Sequence, residues 1–271
     1  MRNTAGPSTA REAAFEGRAA RAEMLAGASA PAEGPLRFAA GLYRAQARMA
    51  VALEHAHAER PLCGRLRDDV ERLVERAGEI IRYAADSGPP VLAAQARARG
   101  DDERSVACAR LLAWWDGGLG SSEDYLSRAL LRPYVEVLAH RGIAPDRVHR
   151  PGHCPACGGA PWIAARRAES DGDGARRSLG CALCGGEWSI NRIRCPCCAE
   201  EDPARLPSFQ SDAHPTARIE ACETCRRYVK SIDLTLDARA LPEVDDLVSI
   251  SLDLWAAREG FTRIEPGLAG L

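Results

Sequence analysis

Lysine is almost missing from this chain: of 36 basic residues all but Lys230 are arginine. With alanine and glycine abundant, the bias is a mark of genome composition, and a position that stays lysine asks for a reason. Also missing is an excess of either charge. Lys plus Arg number 36 against 38 Asp plus Glu, a formal net charge of −2, which leaves no basic footprint for nucleic acid or an anionic membrane. Long apolar runs are absent as well. No window approaches the roughly 18 unbroken apolar residues of a membrane span, and the amino terminus, MRNTAGPSTAREAAFEGRAARAE, lacks the apolar core of a secretory signal. These absences predict a protein kept in the reducing cytoplasm. There, clustered cysteines bind metal or do redox work more often than they form disulfides. No Gly-rich phosphate loop or Ser/His/Asp arrangement stands out, so nothing points to an enzyme.

What the chain does have is cysteine. Nine of its 11 cysteines lie between 154 and 225, and the first 150 residues hold only Cys63 and Cys108, which fall in helical segments and read as core residues. The shift marks a domain boundary near GIAPDRVHRPGH, 142–153, where Pro145, Pro151 and Gly152 break any helix.

Before the boundary the period is helical. Phe38, Leu42, Met49 and Leu53 form one stripe, and Leu66, Val70, Leu73, Ala77, Ile80 and Ala84 form another that alternates steps of 4 and 3. A helix is expected over about 101–115, and another opening at Ser121 or Ser122 and kinked by Pro133. Trp114 and Trp115 close the former, with core burial expected for at least one. Residues 27–35 read as a loop and about the first eight as a frayed end. After 240 a single helix is expected from Pro242 to the stop at Gly260, packing back on the rest.

The cysteines pair as Cys-x-x-Cys: Cys154 with Cys157, Cys181 with Cys184, Cys195 with Cys198, and Cys222 with Cys225. Each cysteine of the first two pairs recurs 41 positions later, a tandem repeat. The spacing suits metal knuckles, in which a tight turn aims two sulfurs at one ion and backbone N–H groups at the sulfurs. Gly158 and Gly185 directly follow knuckle cysteines, where the turn requires positive φ, whereas the second repeat departs from the pattern with Ala199 and Arg226. A repeat this short buries too little apolar surface to hold itself together, whereas a structural tetrathiolate site supplies on the order of 10 kcal/mol or more. Strands are expected at 161–167, 186–193 and 227–236. Cys197 lies outside the repeat, either a spare thiol, a substitute ligand for Cys198 or a redox thiol beside the site. His153 and His214 flank the ribbons as surface residues, and His55, His57, His140 and His149 lack ligand spacing.

Between 151 and 240 basic and acidic residues balance at twelve each. Two divalent tetrathiolate sites would then leave about −4 by simple valence. That sign repels phosphates unless Arg166, Arg167, Arg176, Arg177, Arg192 and Arg194 segregate into a patch. Closed four-sulfur shells offer no open position for substrate, and the residues therefore describe a binding protein. A rubredoxin-like electron carrier and a zinc-ribbon nucleic-acid module are the alternatives.

HCPACG, LGCALCGGEWSINRIRCPCC and ACETCRRYVK, followed by DDLVSISLDLWAAREGF, together resemble the FdhE family of formate dehydrogenase accessory proteins. The likeness covers about 150–265 in motif detail, including Glu187 and Trp188 and the pair Tyr228 and Lys230, and the first half in helical character. It implies a cytoplasmic maturation factor that binds the catalytic subunit of respiratory formate dehydrogenase before twin-arginine export and is needed for its activity. It also implies rubredoxin-like iron sites whose ligands carry over to Cys154, Cys157, Cys181, Cys184, Cys195, Cys198, Cys222 and Cys225. Zinc remains open as the metal, because it outcompetes ferrous iron at many sulfur sites. Glu187, Trp188, Tyr228, Lys230 and Cys197 are then candidates for partner contact or for support of the metal sites, set against plainer readings of Trp188 as ribbon packing and Lys230 as a solvated strand residue. The expected architecture is an α+β multidomain chain: a helical domain over 1–150, two tandem rubredoxin-like (zinc-ribbon-like) modules over 151–190 and 191–240, and a C-terminal helix within 241–271.

Overall fold

The computed structural model describes residues 10–121, 123–168 and 174–270. Its N-terminal half is helical: α1 (Ala10–Ala26), α2 (Glu33–Glu59), α3 (Leu66–Val74), α4 (Gly78–Ser87), α5 (Pro90–Gly100), α6 (Arg104–Trp115) and α7 (Tyr125–His140). Helix α1 packs along α2 by burying Phe15, Ala19, Ala22 and Ala26, a stripe built mostly of alanine. The loop expected at 27–35 is shorter. A 3-10 turn fills Ala30–Ala32, and α2 opens with Gly34 and Pro35 in its first turn, where a missing N–H leaves no bond unmade. The stripe from Leu66 to Ala84 spans two helices, because the chain turns at 75–77. The expected frayed end lies outside the described residues, as does Ser122.

Helix α7 is the axis of this half and is buried from Leu126 to Leu138. Its cap is Asp124, whose Oδ1 accepts the Ser127 N–H at 2.9 Å, rather than either serine. The helix runs on through Pro133. Proline has no N–H for the carbonyl four residues back, so the Ala129 oxygen would be left unpaired inside the core. Gln46 of α2 supplies the missing donor: its Nε2 bonds Ala129 O at 2.8 Å.

The second half is built on β1 (Pro161–Ala168), β2 (Ala175–Cys181), β3 (Glu187–Ser189), β4 (Ser208–Gln210), β5 (Ala217–Cys222), β6 (Arg227–Asp233) and β7 (Thr262–Arg263). The strand expected over 186–193 is only the three residues of β3. Each repeat forms an antiparallel meander, and the two meanders join where β1 lies parallel to β6, Ile163 opposite Lys230. The result is one sheet of order β3-β2-β1-β6-β5-β4, with β7 parallel to the start of β6. Ile163, Ala165, Ile219, Tyr228 and Ile232 belong to the core shared with the helices, while Ala164, Leu179 and Val229 form a small separate cluster with Trp188, Ile190 and Ile264 around it. Alternation along the strands thus gives the sheet two working faces.

The C-terminal segment is not one helix. It runs as α8 (Pro242–Asp245), a 3-10 turn (Asp246–Ser249) and α9 (Ile250–Arg258) before β7. This broken path lets its acidic residues point in different directions.

Gln46→Leu should lower the unfolding free energy by about 1–3 kcal/mol by orphaning the Ala129 carbonyl. In a Pro133→Ala background, where the helix regains its own N–H donor, the loss should largely vanish; urea denaturation of the four proteins measures both.

Candidate metal centres

The repeat spacing becomes geometry at the four knuckles. Cys154 N–H donates to Gly159 O and Gly158 N–H to Cys154 O, each at 2.9 Å. Shifted by 41 residues, Cys195 N–H donates to Glu200 O at 2.8 Å and Ala199 N–H to Cys195 O at 3.0 Å. After the last cysteine of each knuckle the backbone turns left-handed: Gly158 has φ 68° and Gly185 φ 66°, and Ala199 (63°) and Arg226 (56°) adopt the same conformation without glycine. The second repeat, which departs from the glycine pattern in sequence, therefore keeps the same knuckle backbone. The Arg226 side chain anchors this turn to the C-terminal segment, bonding Glu259 O at 2.5 Å and lying 3.8 Å over the Phe261 ring. The methyl of Ala199 offers no such anchor.

The eight thiols gather as Cys154, Cys157, Cys181 and Cys184, and as Cys195, Cys198, Cys222 and Cys225, with all sulfurs of a group within 4.8 Å of one another. The closer pairs are Cys157 to Cys181 at 3.3 Å, Cys154 to Cys184 and Cys198 to Cys222 at 3.6 Å, and Cys195 to Cys225 at 3.7 Å. A tetrahedral ion with metal–sulfur bonds of about 2.3 Å sets its ligands about 3.8 Å apart. Backbone N–H groups already face the sulfurs, from Leu183 to Cys181 and from Gly186 to Cys184 at 3.4 Å, and from Cys197 to Cys195 at 3.4 Å. Each quartet could hold one metal ion, and donor set and spacing fit either zinc or iron. Burial pushes the Cys195 thiol up to about 11, a shift that a bound cation reverses by stabilising the thiolate.

The quartets differ in their surroundings. Cys154, Cys157, Cys181 and Cys184 are buried and belong to the core shared with the helices. A Cβ on Gly159 would meet Cys181 Sγ at 2.6 Å, so the chain closes tightly over this site. In the second quartet Cys198 is exposed and Cys225 half-buried. Glu200 stands in the repeat position of Gly159, its carboxylate accepting the Thr224 hydroxyl at 2.6 Å.

The remaining candidates scatter. Cys197 is exposed and outside its quartet. Glu187, at the sheet edge, bonds Arg167 at 2.7 Å and Ser178 at 3.0 Å, and Trp188 is half-buried against the core. Lys230 is not solvated: it is fully buried, its Nζ paired with Asp253 and with Asp246 at 3.0 Å and bonded to the Asp246 carbonyl at 2.9 Å. Tyr228 donates to Asp253 Oδ1 at 2.8 Å. Cys63, expected in the core, is exposed beside Asp69, and Cys108 is half-buried. Both Trp114 and Trp115 are buried, under the Arg147 guanidinium. His153 bonds Gly158 O at 3.0 Å within the first knuckle, and His214 bonds Ser251 at 2.7 Å.

Sequence reasoning missed two buried charge clusters. In one, Arg263 of β7 reaches Asp246 at 2.9 Å and Asp253 at 3.2 Å, completing the surroundings of Lys230. In the other, Arg18 of α1 bonds Glu243 of α8 at 2.6 Å and Glu136 of α7 at 3.0 Å, while Arg132 bonds Glu136 at 2.8 Å and also Glu243. Burial alone would raise the Glu243 carboxyl, but Arg132 and Arg18 overcome it and hold it at about 2. The second cluster touches the first metal knuckle: a Cβ on Gly185 would lie 2.8 Å from Arg18 and 3.2 Å from Glu136. The signals available were the lone lysine and the aspartates spaced through DDLVSISLDLW.

Among known proteins, the family model described as FdhE, C-terminal domain, matches residues 193–268. The chain is similar to the protein FdhE homolog of Aquifex aeolicus, 36% identical over 154 residues that make up 56% of this chain and 54% of that protein. It is also similar to the homolog of Pseudomonas putida, 37% identical over 119 residues, 42% of this chain and 37% of that one. The chain thus spans about half or less of the length of these curated relatives. In structure it resembles the crystallised FdhE protein from Pseudomonas aeruginosa, with TM-score 0.67, 24% identity and 97% of each chain covered. That likeness shows a common fold.

Ala199→Gly should raise the thermal stability of the metal-loaded protein by about 0.5–1 kcal/mol, the left-handed penalty less glycine's extra chain entropy. Gly185→Ala should lower it by at least about 1–2 kcal/mol; calorimetry reads both. Glu243→Gln should cost on the order of 3 kcal/mol at neutral pH. Because the folded carboxyl sits at about 2 against an ordinary 4.5, its contribution is full above pH 4.5 and lost toward pH 2. The gap between wild type and variant should therefore close over that window in denaturation curves.

Proposed function

We propose that this chain is a member of the FdhE family, as its likeness to FdhE homologs supports, and a non-enzymatic accessory protein for formate dehydrogenase. In this reading it works in the cytoplasm, binds the catalytic subunit before twin-arginine export and is needed for that subunit's activity. The observation that carries the proposal is the pair of four-cysteine groups on one sheet, Cys154, Cys157, Cys181 and Cys184 beside Cys195, Cys198, Cys222 and Cys225. Both are saturated by protein sulfur when loaded, which suits scaffolding a partner better than turning over a substrate. No helix among the described residues is long and apolar enough to cross a membrane.

The metal roles of these eight cysteines, and the rubredoxin-like character of the modules, belong to the same proposal. Iron is the metal we favour, with zinc the competitor. A second reading, an electron carrier, draws support from one feature: Cys198 is exposed, so an iron ion in the second group would sit near the surface. Reversible bleaching of a visible spectrum at one equivalent of iron would favour it.

Affinity capture of the tagged chain from formate-grown cells, made anaerobically, tests the main reading. Recovery of a formate dehydrogenase catalytic subunit with its twin-arginine signal uncleaved is expected, and its absence would overturn the role. Cys198→Ser should cost one equivalent of metal, read by elemental analysis, with the fold kept. Cys181→Ser should cost one equivalent and also loosen the helical half, because its site lies in the common core.

A further inference from the structure

The sequence posed a condition, that arginines of the cysteine region segregate into a patch, and the structure meets it in part. Arg166, Arg177, Arg192, Arg194, Arg218 and Arg227 line one cleft of about 240 Å³ against a single carboxylate, Glu220. The cleft lies beside the separate Ala164, Leu179 and Val229 cluster, and Cys195 and Cys222 form part of its wall. Arg167 and Arg176 do not line it.

The arrangement is built rather than incidental. Arg177 and Arg218, 41 residues apart and so equivalent in the two repeats, converge on Glu220 at 2.8 and 2.6 Å. Burial would raise that carboxyl, but the two guanidiniums hold it below its ordinary value, so it stays charged and spent. Arg177 also donates to the carbonyls of Asn191 at 3.2 Å and Arg194 at 3.0 Å, which pins the segment between the modules over the sheet. That segment carries Arg192, for which no hydrogen-bond or ionic partner is found among the described residues. Across the cleft Arg227 bonds only the Arg263 carbonyl, at 3.3 Å, which leaves its charge unmatched. Arg166 and Arg194 are paired outside the lining, with Asp233 at 3.2 Å and Glu201 at 3.0 Å.

We propose that this cleft binds a small phosphate-bearing anion, inorganic diphosphate or the diphosphate group of a nucleotide, held by Arg192 and Arg227 over the fixed pair Arg177 and Arg218. Guanidinium forks match phosphate oxygens two at a time. The volume is below the roughly 300–1,000 Å³ of clefts that take drug-sized ligands, so the occupant is compact. The site is independent of which partner the protein serves.

The test is calorimetric titration of the metal-loaded full chain with sodium diphosphate, ADP, inorganic phosphate and sulfate, with metal content measured alongside. Diphosphate binding should weaken at least tenfold in Arg192→Ala and in Arg227→Ala, fall with added salt, and be unchanged in Arg176→Ala. Tighter binding of ADP than of diphosphate would assign a nucleotide, and equal binding the free anion. No binding at millimolar diphosphate or ADP would overturn the proposal. So would binding unchanged in the variants, or selective binding of an acidic peptide or oligonucleotide. Loss of one metal equivalent in a folded Arg192→Ala/Arg227→Ala protein without a change in diphosphate affinity would reassign the arginines to balancing the thiolates.

Discussion

The docking of the helical half on the sheet depends on the acidic C-terminal segment between them. Within about one turn of chain, Glu243 meets Arg18 and Arg132 while Asp246 meets Lys230 and Arg263. Taking such charges out of water costs several kcal/mol per ion, and their pairing returns roughly that amount. The net contribution to stability is therefore modest, but the penalty for misplacement is large. A shift of the helices by one residue would leave guanidiniums or carboxylates unpaired in the core. The segment is broken into a short helix, a 3-10 turn and a second helix: one straight helix would hold Glu243, Asp246 and Asp253, at i, i+3 and i+10, on a single face instead of offering them to separate partners.

The first cysteine quartet sits in the same junction, Gly185 against Arg18 and Glu136. Knuckle and ion pairs thus constrain one another. A residue with a Cβ after Cys184 would push the guanidinium off its carboxylates, and loss of the knuckle would open the charge cluster to water. Bound metal at this site would act as a structural pin. The second quartet meets none of these demands. Its knuckles touch the C-terminal turn through Arg226 and the Gly152 backbone at Pro196, and Cys198 is left exposed.

Much of this was legible in the sequence. The eight cysteines announced their grouping by spacing alone, because a knuckle is a local structure whose hydrogen bonds close within six residues. The helices with Leu and Ile stripes were readable, whereas α1 was not, since its buried face is mostly alanine and contrasts little with its exposed one. The break between α3 and α4 left no trace, as the apolar period continues through the turn at 75–77. Glu187, Trp188, Tyr228 and Lys230 were singled out as a group, yet they occupy different environments: edge, half-buried face and core. Neighbours on a strand alternate sides, so proximity in sequence said little about shared role. The joining of β1 to β6 was likewise invisible, because it pairs residues 67 apart.

The repeat explains how one motif came to two environments. The knuckle needs only a left-handed residue after its cysteines, and the backbone supplies this at Ala199 and Arg226 as at Gly158 and Gly185. Glycine is required only where something else occupies the space of a Cβ. That holds at Gly158, against the Val148 carbonyl, at Gly159, against the Cys181 sulfur, and at Gly185, against Arg18. At the equivalent positions of the second repeat the space is open, and side chains fill it: Ala199, Glu200 tied to Thr224, and Arg226. Departure from glycine in the second repeat therefore follows the open space around its knuckles.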